Sequence, residues 1–457
     1  MPDMLNTLYL PELREMLVAG DAHGLREFCT ALHPARTAEF MEGLTVDEAW
    51  QVLSHTDEDT RAEIFAFLMH DRQIDIIESQ PREEIAQLVA ELPPDDRVDM
   101  LKNVDDAIVD EVLPLVPVDE RRDIQRLLEY PEGTAGSVMT TDVAKLSETL
   151  TVTQAIEALH DQIEDLETVY YLYIVDDADH LRGLVTFRSM VSSIIRKPQT
   201  RLGDLMETEI VAVNVHDDQE AVANKVARYD LLAIPVVDDE QRMVGIITHD
   251  DVIDVVREEA TEDAHRIAAV DPLEVSYLRT SLLTLSWKRG IWLIVLFVGA
   301  LLTAFALDQY EAKFKSVTWL VMFIPLVISS GGNSGSQSAT LIITGMSTGD
   351  IRLKDWLRVV GRELAMGVVL GAGLGAIGFV AAYFMLWNIQ QALVIPGTLL
   401  LVVMSGTLLG SILPLTFRRI DLDPALLSIP FAAGIIDILG ILIYMTVATM
   451  LLPDLTF

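Results

Sequence analysis

The spacing of apolar residues changes along the chain and divides it into three regions. Over residues 1–130, apolar positions recur every three or four residues in short units, which are interrupted by Pro93-Pro94, Pro114 and Pro117. This spacing is typical of helices that bury one face. It predicts a small domain of stacked helices over residues 1–130.

Residues 131–253 contain one pattern twice. Residues 173–177 and 183–189 return as residues 234–239 and 245–251, so that Gly183 corresponds to Gly245. Each copy has the composition of a strand, an acidic turn, a second strand and a helix. The repeat predicts two α/β units, and the helical spacing that continues after them predicts a connecting helix over residues 254–280.

Five long apolar runs follow, and each can cross the roughly 30 Å of hydrocarbon in a bilayer. Most of the Lys and Arg residues between these runs fall on one side, which the positive-inside rule makes cytoplasmic. We predict a membrane domain over residues 281–457, with the N-terminus in the cytoplasm and the C-terminus outside. The first thirty residues lack the apolar core of a cleavable signal peptide, so none is expected. The runs cover approximately residues 287–307, 316–343, 361–387, 393–417 and 425–452.

The second apolar run is interrupted by small and polar residues. Between Pro325 and Gln337 it contains Gly331, Gly332 and Asn333, with serines on both sides. Lipid offers no hydrogen-bond partners, so polar or irregular backbone at this depth is expected only against protein or a water-filled cavity. The segment predicts a break in the helix that forms the wall of a pathway.

The fifth apolar run contains one acidic residue, Asp437, in its middle, and no basic residue. Ionisable residues inside a span usually mark an ion or proton path. The alternative is a protonated Asp437 that is hydrogen-bonded to a neighbouring helix. Glu363 carries less weight, because Arg362 precedes it near the predicted cytoplasmic end and ion pairing or snorkelling accounts for it.

Acidic residues are concentrated before the membrane region. From residue 286 onward nine acidic residues accompany ten basic ones, so the excess behind the net charge of −36 lies in the first part of the chain. Such a surface makes nucleic acid an unexpected partner. The single cysteine, Cys29, excludes an intramolecular disulfide and fits a reducing compartment. No nucleophile–base pair, Walker loop or His/Cys cluster indicates an enzyme.

Carboxylates form a stripe along the predicted connecting helix. Asp251, Asp254, Glu258 and Glu262 are three or four residues apart. In the first domain, Asp95 and Asp99 share one helical face. A solvated acidic surface, a salt-adapted composition, or the preference of Asp for the first turn of a helix would explain these residues without a function. Hard divalent cations, which prefer oxygen ligands, are the functional alternative.

The repeat resembles a pair of cystathionine-β-synthase (CBS) domains. Together with Gly331-Gly332-Asn333 in the second apolar run, Asp423 just before the fifth, and Asp437 and Gly440 within the fifth, it resembles the MgtE family of magnesium channels over the whole chain. The resemblance implies a homodimer in the cytoplasmic membrane, with a helical N domain, tandem CBS domains, a connecting plug helix and five spans per protomer. It also implies an ion pathway along the dimer axis.

The same resemblance implies the roles of individual residues. Asp437 would recognise hydrated magnesium with help from a backbone carbonyl near Ala433, and Gly331, Gly332 and Asn333 would form a pore-lining turn. Asp423 would share a metal ion with Asp263. The implied cytosolic regulatory magnesium ligands are Glu63, Asp95, Asp99, Asp218, Glu220, Asp230, Asp251, Asp254, Glu259, Glu262 and Asp263.

Nucleotide binding is a separate expectation. In CBS domains a Gly-x-x-Thr-x-x-Asp ending often holds a nucleotide ribose; the second copy has Thr248 and Asp251 there, whereas the first has Ser189 in place of the Asp. We therefore expect weak or absent ATP binding. The alternatives to a channel that cytoplasmic magnesium closes are an ion-coupled carrier of divalent cations, in which Asp437 titrates, and a CBS nucleotide sensor that conducts no ions.

Overall fold

The computed structural model describes residues 8–160, 162–163, 166–273, 276–420 and 422–452. It divides into two compact units. The first ends at Glu259 and also includes residues 276–279, and the second contains residues 260–273 and everything described from Thr280 onward. The multidomain architecture that the sequence predicts is confirmed: a helical part, an α/β part and a helical membrane part.

The first part of the first unit is helical, as predicted. Its helices start at recognisable caps: Thr45 and Glu48 form a capping box, and Pro34 and Pro94 occupy first helical positions. Buried side chains such as Phe65 form one core between the helices. The helices are α1 (Leu10–Ala19), α2 (Ala22–Ala31), α3 (Pro34–Met41), α4 (Val46–Leu53), α5 (Glu58–Ala66), α6 (His70–Ser79), α7 (Arg82–Glu91), α8 (Pro94–Lys102), α9 (Asp106–Val112) and α10 (Val118–Leu128).

The repeat forms two three-stranded sheets with the same topology. In the orders β1-β2-β3 and β4-β5-β6, the first pair of strands is parallel and the second antiparallel. Asp179 and Gln241 occupy matching turns with positive φ values of 62° and 63°. The elements are β1 (Lys145–Ser147), α11 (Val152–His160), β2 (Tyr171–Val175), β3 (Leu181–Thr186), α12 (Phe187–Arg196), α13 (Leu202–Leu205), β4 (Val213–Asn214), α14 (Gln219–Tyr229), β5 (Ala233–Val237), β6 (Met243–Thr248) and α15 (His249–Ile267).

Helix α15 is shorter at its C-terminal end than the connecting helix that the sequence predicts over residues 254–280. It ends at Ile267, where Ala269 adopts a positive φ of 58° and the Val270 N–H donates to the carbonyl of His265. This pattern satisfies the last carbonyls of a helix, and Pro272 follows directly.

The second unit is a bundle of long helices. Four segments of the described residues are long and apolar enough to cross a membrane: Leu282–Asp308, Leu353–Leu386, Ile389–Arg419 and Phe431–Leu451. The five predicted runs correspond to the five long helices, of which α18 is less apolar because of its Ser, Gly, Asn and Gln residues. The helices are α16 (Leu282–Asp308), α17 (Glu311–Ser316), α18 (Trp319–Ser347), α19 (Trp356–Leu386), α20 (Ile389–Ala392), α21 (Val394–Arg419) and α22 (Pro424–Leu451).

The predicted break in the second run is wrong. Helix α18 continues without interruption through Gly331, Gly332 and Asn333. Glycine permits a close contact between helices as well as a turn, and in α18 it provides the close contact. The role of Gly331, Gly332 and Asn333 in lining a pathway stays a prediction.

Candidate functional site

Glycines bring helices α18 and α21 into backbone contact. A Cβ added at Gly406 would lie 2.6 Å from the carbonyl oxygen of Gly331, and one added at Gly410 would collide with the carbonyl of Gly335. Small residues permit such contacts between membrane helices, where van der Waals packing supplies much of the attraction. Gly331 and Gly335 therefore serve close packing. Gly332, by contrast, has no neighbouring heavy atom within 4 Å of an added Cβ.

A polar stripe lies on another face of α18. Ser329, Asn333 and Gln337 are spaced four residues apart, and all three are exposed in the described structure. The Asn333 Nδ2 donates to Ser329 Oγ at 3.3 Å, which connects two of the three side chains in this stripe. Amide and hydroxyl groups facing lipid are costly. The stripe therefore requires water or another protein surface beside it.

Asp437 lies on α22, which packs against α18. The residue before it, Ile436, fits between Gly331 and Gly335 of α18. Asp437 itself is half-buried, and no hydrogen bond or ion pair holds it within the described part of the chain. The alternative of a carboxyl group hydrogen-bonded to a neighbouring helix thus has no supporting contact. Asp437 is available to a cation.

Ala433 lies one turn before Asp437 in the same helix. Because α22 is continuous there, the Ala433 carbonyl takes part in the helical hydrogen-bond pattern. A carbonyl oxygen has a second lone pair, which is the part available to the water shell of an ion. The Ala433 carbonyl can therefore offer the water shell of an ion at most this one lone pair.

Glu363 makes a contact that the sequence did not predict. Ser338 Oγ on α18 donates to Glu363 Oε2 at 2.6 Å, and Thr407 Oγ1 on α21 donates to the Glu363 backbone carbonyl at 3.1 Å. Ser338 is buried. The Glu363 carboxyl group is thus directed into the bundle, and the predicted snorkelling to the membrane surface does not describe it. Glu363 ties α19 to the helix that carries the polar stripe.

The last turn of α15 belongs to the second unit, where it contacts two long helices. Arg266 forms ion pairs with Asp423 at the start of α22 and with Glu262. Asp263 accepts a hydrogen bond of 3.3 Å from Ser347 Oγ at the end of α18. The metal ion predicted to be shared by Asp263 and Asp423 stays a prediction, and the observed partner of Asp423 is Arg266.

In the first unit, helices α8 and α15 contribute to one apolar cluster through Val98, Val252 and Val255. Carboxylates of both helices surround this contact. One oxygen of Asp95 is buried and has no hydrogen-bond partner in the described structure. We call the group the acid cluster; it consists of Asp95, Asp96, Asp99, Glu167, Asp250, Asp251, Asp254 and Glu258.

Crowding raises the pKa of several carboxyl groups in the acid cluster. Reduced solvation, followed by the charge of Asp251, raises the pKa of Asp95 well above its usual value. The same two causes raise the pKa of Asp96 to about 6 and that of Glu167 to about 7. Asp96 and Glu167 keep exposed side chains, so solvent and salt screen part of the repulsion. The cluster is accessible to ions and repels itself.

The raised pKa values of Asp95, Asp96 and Asp251 argue against the explanation that these acids are present only because the first turn of a helix favours Asp. Asp95 and Asp96 lie in the first turn of α8, and Asp250 and Asp251 in the first turn of α15. If Asp95, Asp96 and Asp251 served only to interact with the helix dipoles, their pKa values would be lowered. Reduced solvation instead raises the pKa of Asp251, although Thr248 donates hydrogen bonds to it. The two helix ends meet with like charges, at a cost that a bound cation would remove.

A second contact involves the other predicted ligands. Gln219 Nε2 at the start of α14 donates to Glu259 Oε1 at 2.7 Å, which places Glu259 beside the segment that carries Asp218 and Glu220. Asp218 caps α14 by accepting from the Ala221 N–H.

Two predicted ligands have no such neighbours. Glu63 is exposed on α5, and Asp230 is exposed at the C-terminal end of α14. For Glu63 and Asp230, a role in metal binding stays a prediction without a supporting contact.

The acid cluster suits weakly held, hydrated ions. Within the described residues, no group of three or more His, Cys, Asp or Glu side chains is arranged to hold a metal ion. Magnesium often keeps several waters and uses one or two carboxylates, so paired acids are sufficient for it. Glu167 and Asp96 were missed from the sequence. Glu167 precedes β2 in irregular structure, where no spacing pattern could identify it.

The predicted nucleotide residues contact each other. Thr248 Oγ1 donates to Asp251 Oδ2 at 2.6 Å and also to Asp250. In the first copy, Thr186 Oγ1 donates to Ser189 Oγ at 2.9 Å. Thr248 is buried. The Thr186 and Thr248 hydroxyl groups therefore donate to residues in the first turns of α12 and α15. Asp251 also belongs to the acid cluster.

Comparisons with known proteins agree on one family. Residues 324–447 match the family model described as a divalent cation transporter, MgtE; residues 32–133 match the MgtE intracellular N domain; residues 135–196 and 202–258 match CBS domains. The magnesium transporter MgtE of Thermus thermophilus is 35% identical over 445 residues, which are 96% of this chain and 98% of that protein. The chain belongs to the MgtE family.

Two solved structures resemble the part of this MgtE family member that precedes the long apolar helices. The soluble part of a magnesium transporter is 31% identical, with a TM-score of 0.51, and the match covers 55% of this chain and 97% of that one. The cytosolic domain of the Mg2+ channel MgtE in complex with ATP is 32% identical, with a TM-score of 0.50, and covers 53% and 98%. The MgtE family consists of transporters, which agrees with the prediction that the chain is not an enzyme.

The acid cluster should make the stability of this MgtE protein depend on pH. Acids whose pKa is raised in the folded state bind protons there first, so folding stability increases as the pH falls through the raised values. From Asp96 and Glu167, the window lies between about pH 7.5 and 5. We expect the magnesium-free protein to unfold at a higher temperature at pH 5.5 than at pH 7.5.

Magnesium provides the second half of this prediction. Because protons and magnesium neutralise the same carboxylates, added magnesium should raise the unfolding temperature more at pH 7.5 than at pH 5.5. The Thr60 N–H lowers the pKa of Asp57, so protonation of Asp57 changes folding stability only below about pH 4, outside this window. Differential scanning fluorimetry checks both halves. An equal magnesium effect at the two pH values would contradict the coupling.

Proposed function

We propose that the protein is a magnesium-selective channel that imports Mg2+ across the cytoplasmic membrane. In the proposed orientation, the N domain and CBS domains are cytoplasmic and the C-terminus is outside. The observation that carries the proposal is Asp437, an intramembrane carboxylate with no partner in the described structure, on the helix that packs against α18, the helix that carries the polar stripe. The similarity to the magnesium transporter MgtE of Thermus thermophilus supports the choice of ion.

The proposed channel is a homodimer. The polar stripe and Asp437 are too polar to face lipid, and helix α16 is exposed along most of its length. A second copy would cover such surfaces and bring two Asp437 side chains to one axis. Paired carboxylates suit a hydrated divalent ion, because magnesium dehydrates reluctantly and is held through its waters by few ligands.

Cytoplasmic magnesium closes the proposed channel. At low magnesium the acid cluster holds like charges close together, and reduced solvation, followed by the charges of neighbouring carboxylates, raises the pKa of Asp95 and Asp251. Bound ions would neutralise these charges and hold α8 against α15, whose last turn contacts the ends of α18 and α22. Individual sites with few protein ligands are weak, so we expect a response in roughly the millimolar range.

Flux into proteoliposomes separates this proposal from its alternatives. A channel passes magnesium down its gradient and carries current without a second ion gradient. An ion-coupled carrier would require a proton or sodium gradient, with Asp437 titrating in its cycle. A CBS nucleotide sensor would produce no flux. Uptake that depends strictly on a counter-ion gradient would overturn the channel proposal.

ATP binding is proposed to be weak in this protein, although the related cytosolic domain is described in complex with ATP. Thr248 and Asp251 are already hydrogen-bonded to each other, and Asp251 faces other carboxylates that repel phosphate. We expect isothermal titration calorimetry to show little ATP binding, and any binding to be lost in Thr248→Ala.

The serine of the first copy provides the matched control. Ser189 occupies the position that corresponds to Asp251, so Ser189→Ala should leave weak ATP binding at the second copy unchanged. Tight ATP binding that survives both Thr248→Ala and Asp251→Asn would show that the nucleotide uses other residues.

A further inference from the structure

The last turn of α15 is fixed to the membrane bundle by three different contacts within the second unit. Arg266 pairs with Asp423, Asp263 accepts a hydrogen bond from Ser347, and Ile267 packs against a small apolar cluster. That cluster contains residues of α18 and α22: Ala339, Ile343, Ala425 and Ile429. One helical turn therefore contacts both of the helices that carry the candidate ion pathway.

Both oxygens of the Asp423 carboxylate are engaged. Oδ1 accepts from the Ala425 N–H at 2.8 Å and caps α22, while Oδ2 pairs with Arg266 Nη1. The side chains of Arg266 and Asp423 are only 30% and 29% exposed. A charge-assisted pair with this little solvent is stronger than an exposed one. The positive charge at this contact is therefore supplied by the chain itself, through the Arg266 guanidinium group.

Arg266 also neutralises Glu262 one turn earlier on α15. Two carboxylates thus share one guanidinium group, whose planar set of donors suits such a geometry. Magnesium bound to Asp423 would have to displace Arg266 and leave a partly buried guanidinium without one of its two carboxylate acceptors. That displacement is costly, since breaking a partly buried pair exposes an uncompensated charge.

We propose that Arg266 is a built-in counter-cation that holds the end of α15 on the start of α22 without magnesium. This inference rests on the proposed closure by cytoplasmic magnesium and assigns its parts: the acid cluster senses the ion, and Arg266 is a positioning residue that favours the closed state. The sequence-based expectation of a metal ion at Asp423 is replaced by an ion pair in this arrangement.

The sign of one substitution separates the two arrangements. If Arg266 is the counter-cation, Arg266→Ala weakens the docked state, and the magnesium concentration for half-closure rises, by about fivefold or more. If Asp423 is instead a magnesium ligand, removing Arg266 frees the carboxylate, and half-closure needs less magnesium. The measurement is current through the full-length protein in planar bilayers while cytoplasmic magnesium is varied.

Two further variants make the test specific. Arg266→Lys keeps a charge and should retain most of the effect. Lys315→Ala removes an exposed i,i+4 pair with Glu311 in the same unit and should leave half-closure unchanged. Half-closure that is unchanged or lowered in Arg266→Ala would overturn the inference.

A thermodynamic cycle tests the ion pair independently of channel closure. Asp423→Asn removes the charge but keeps an oxygen that can accept from Ala425, so the cap of α22 is preserved. Thermal unfolding of the full-length protein in magnesium-free detergent should show that Arg266→Ala and Asp423→Asn are non-additive. Additive shifts would overturn the inference even if magnesium closes the channel. Non-additive shifts in a protein that magnesium fails to close would reject the proposed function and retain the ion pair.

Discussion

Asp437→Ala is expected to reduce selective magnesium flux to the level of protein-free liposomes while the protein remains folded. Asp437 lies in the middle of α22 and has no hydrogen-bond or ion-pair partner among the described residues, and selective passage of a hydrated divalent ion requires fixed oxygen ligands along the path. Asp437→Asn should fail nearly as completely, since it keeps the size and the hydrogen-bonding oxygen but removes the charge. The measurement is magnesium uptake into proteoliposomes loaded with a fluorescent magnesium indicator.

The control for this prediction is Asp308→Asn, which removes an acid at the end of α16. It should leave uptake within about twofold of the parent, because a surface charge at the end of a span changes the local field only modestly. Size-exclusion chromatography should show the same oligomer for all variants. Normal uptake by a folded Asp437→Ala protein would remove Asp437 from the pathway.

The second large effect is expected from the acid cluster. Asp95→Asn, Asp251→Asn and Glu258→Gln together should leave the channel conducting at magnesium concentrations that close the parent. Amides keep the shape of the side chains but cannot supply the charge that holds hydrated magnesium, so fewer bound ions would reinforce the apolar contact around Val98 and Val252 between α8 and α15. Because many weak sites act together, closure should become less steep and its midpoint should move to higher magnesium concentrations.

Limited proteolysis provides a second readout for the same variant. In the parent, magnesium should protect the segment around residue 130 and the segment after Ile267, and the triple variant should lose this protection. A matched control is Asp119→Asn, because Asp119 is a fully exposed acid on α10 whose ion pair with Arg122 is also exposed. Unchanged closure in the triple variant, with no magnesium-dependent protection in the parent, would reduce the acid cluster to a solvated surface.

Periodicity and repetition were sufficient to predict the architecture. The helical N domain, the two α/β copies and the membrane helices follow from local spacing, because each element buries a face that its own sequence specifies. The ends of elements were less predictable. Helix α15 ends at Ile267 because Ala269 adopts a left-handed conformation, and the sequence has no glycine at this point that would predict the end of the helix.

The features that the sequence did not predict depend on contacts between residues that are far apart in the chain. The glycines of α18 indicate either a turn or a close contact, and only the position of Gly406 and Gly410 on α21 decides between them. Arg266 and Asp423 are 157 residues apart, so their pairing has no signal in the local sequence. Glu363 was assigned to the membrane surface because Arg362 is its neighbour in sequence, whereas Ser338 is its partner in space.

The most direct test of the account is single-channel recording from the purified protein in a planar bilayer while cytoplasmic magnesium is raised from micromolar to roughly millimolar levels. The account predicts a magnesium current that is absent in Asp437→Ala and that closes steeply as cytoplasmic magnesium rises. A current that persists unchanged in Asp437→Ala, or that is indifferent to cytoplasmic magnesium in the parent protein, would contradict it.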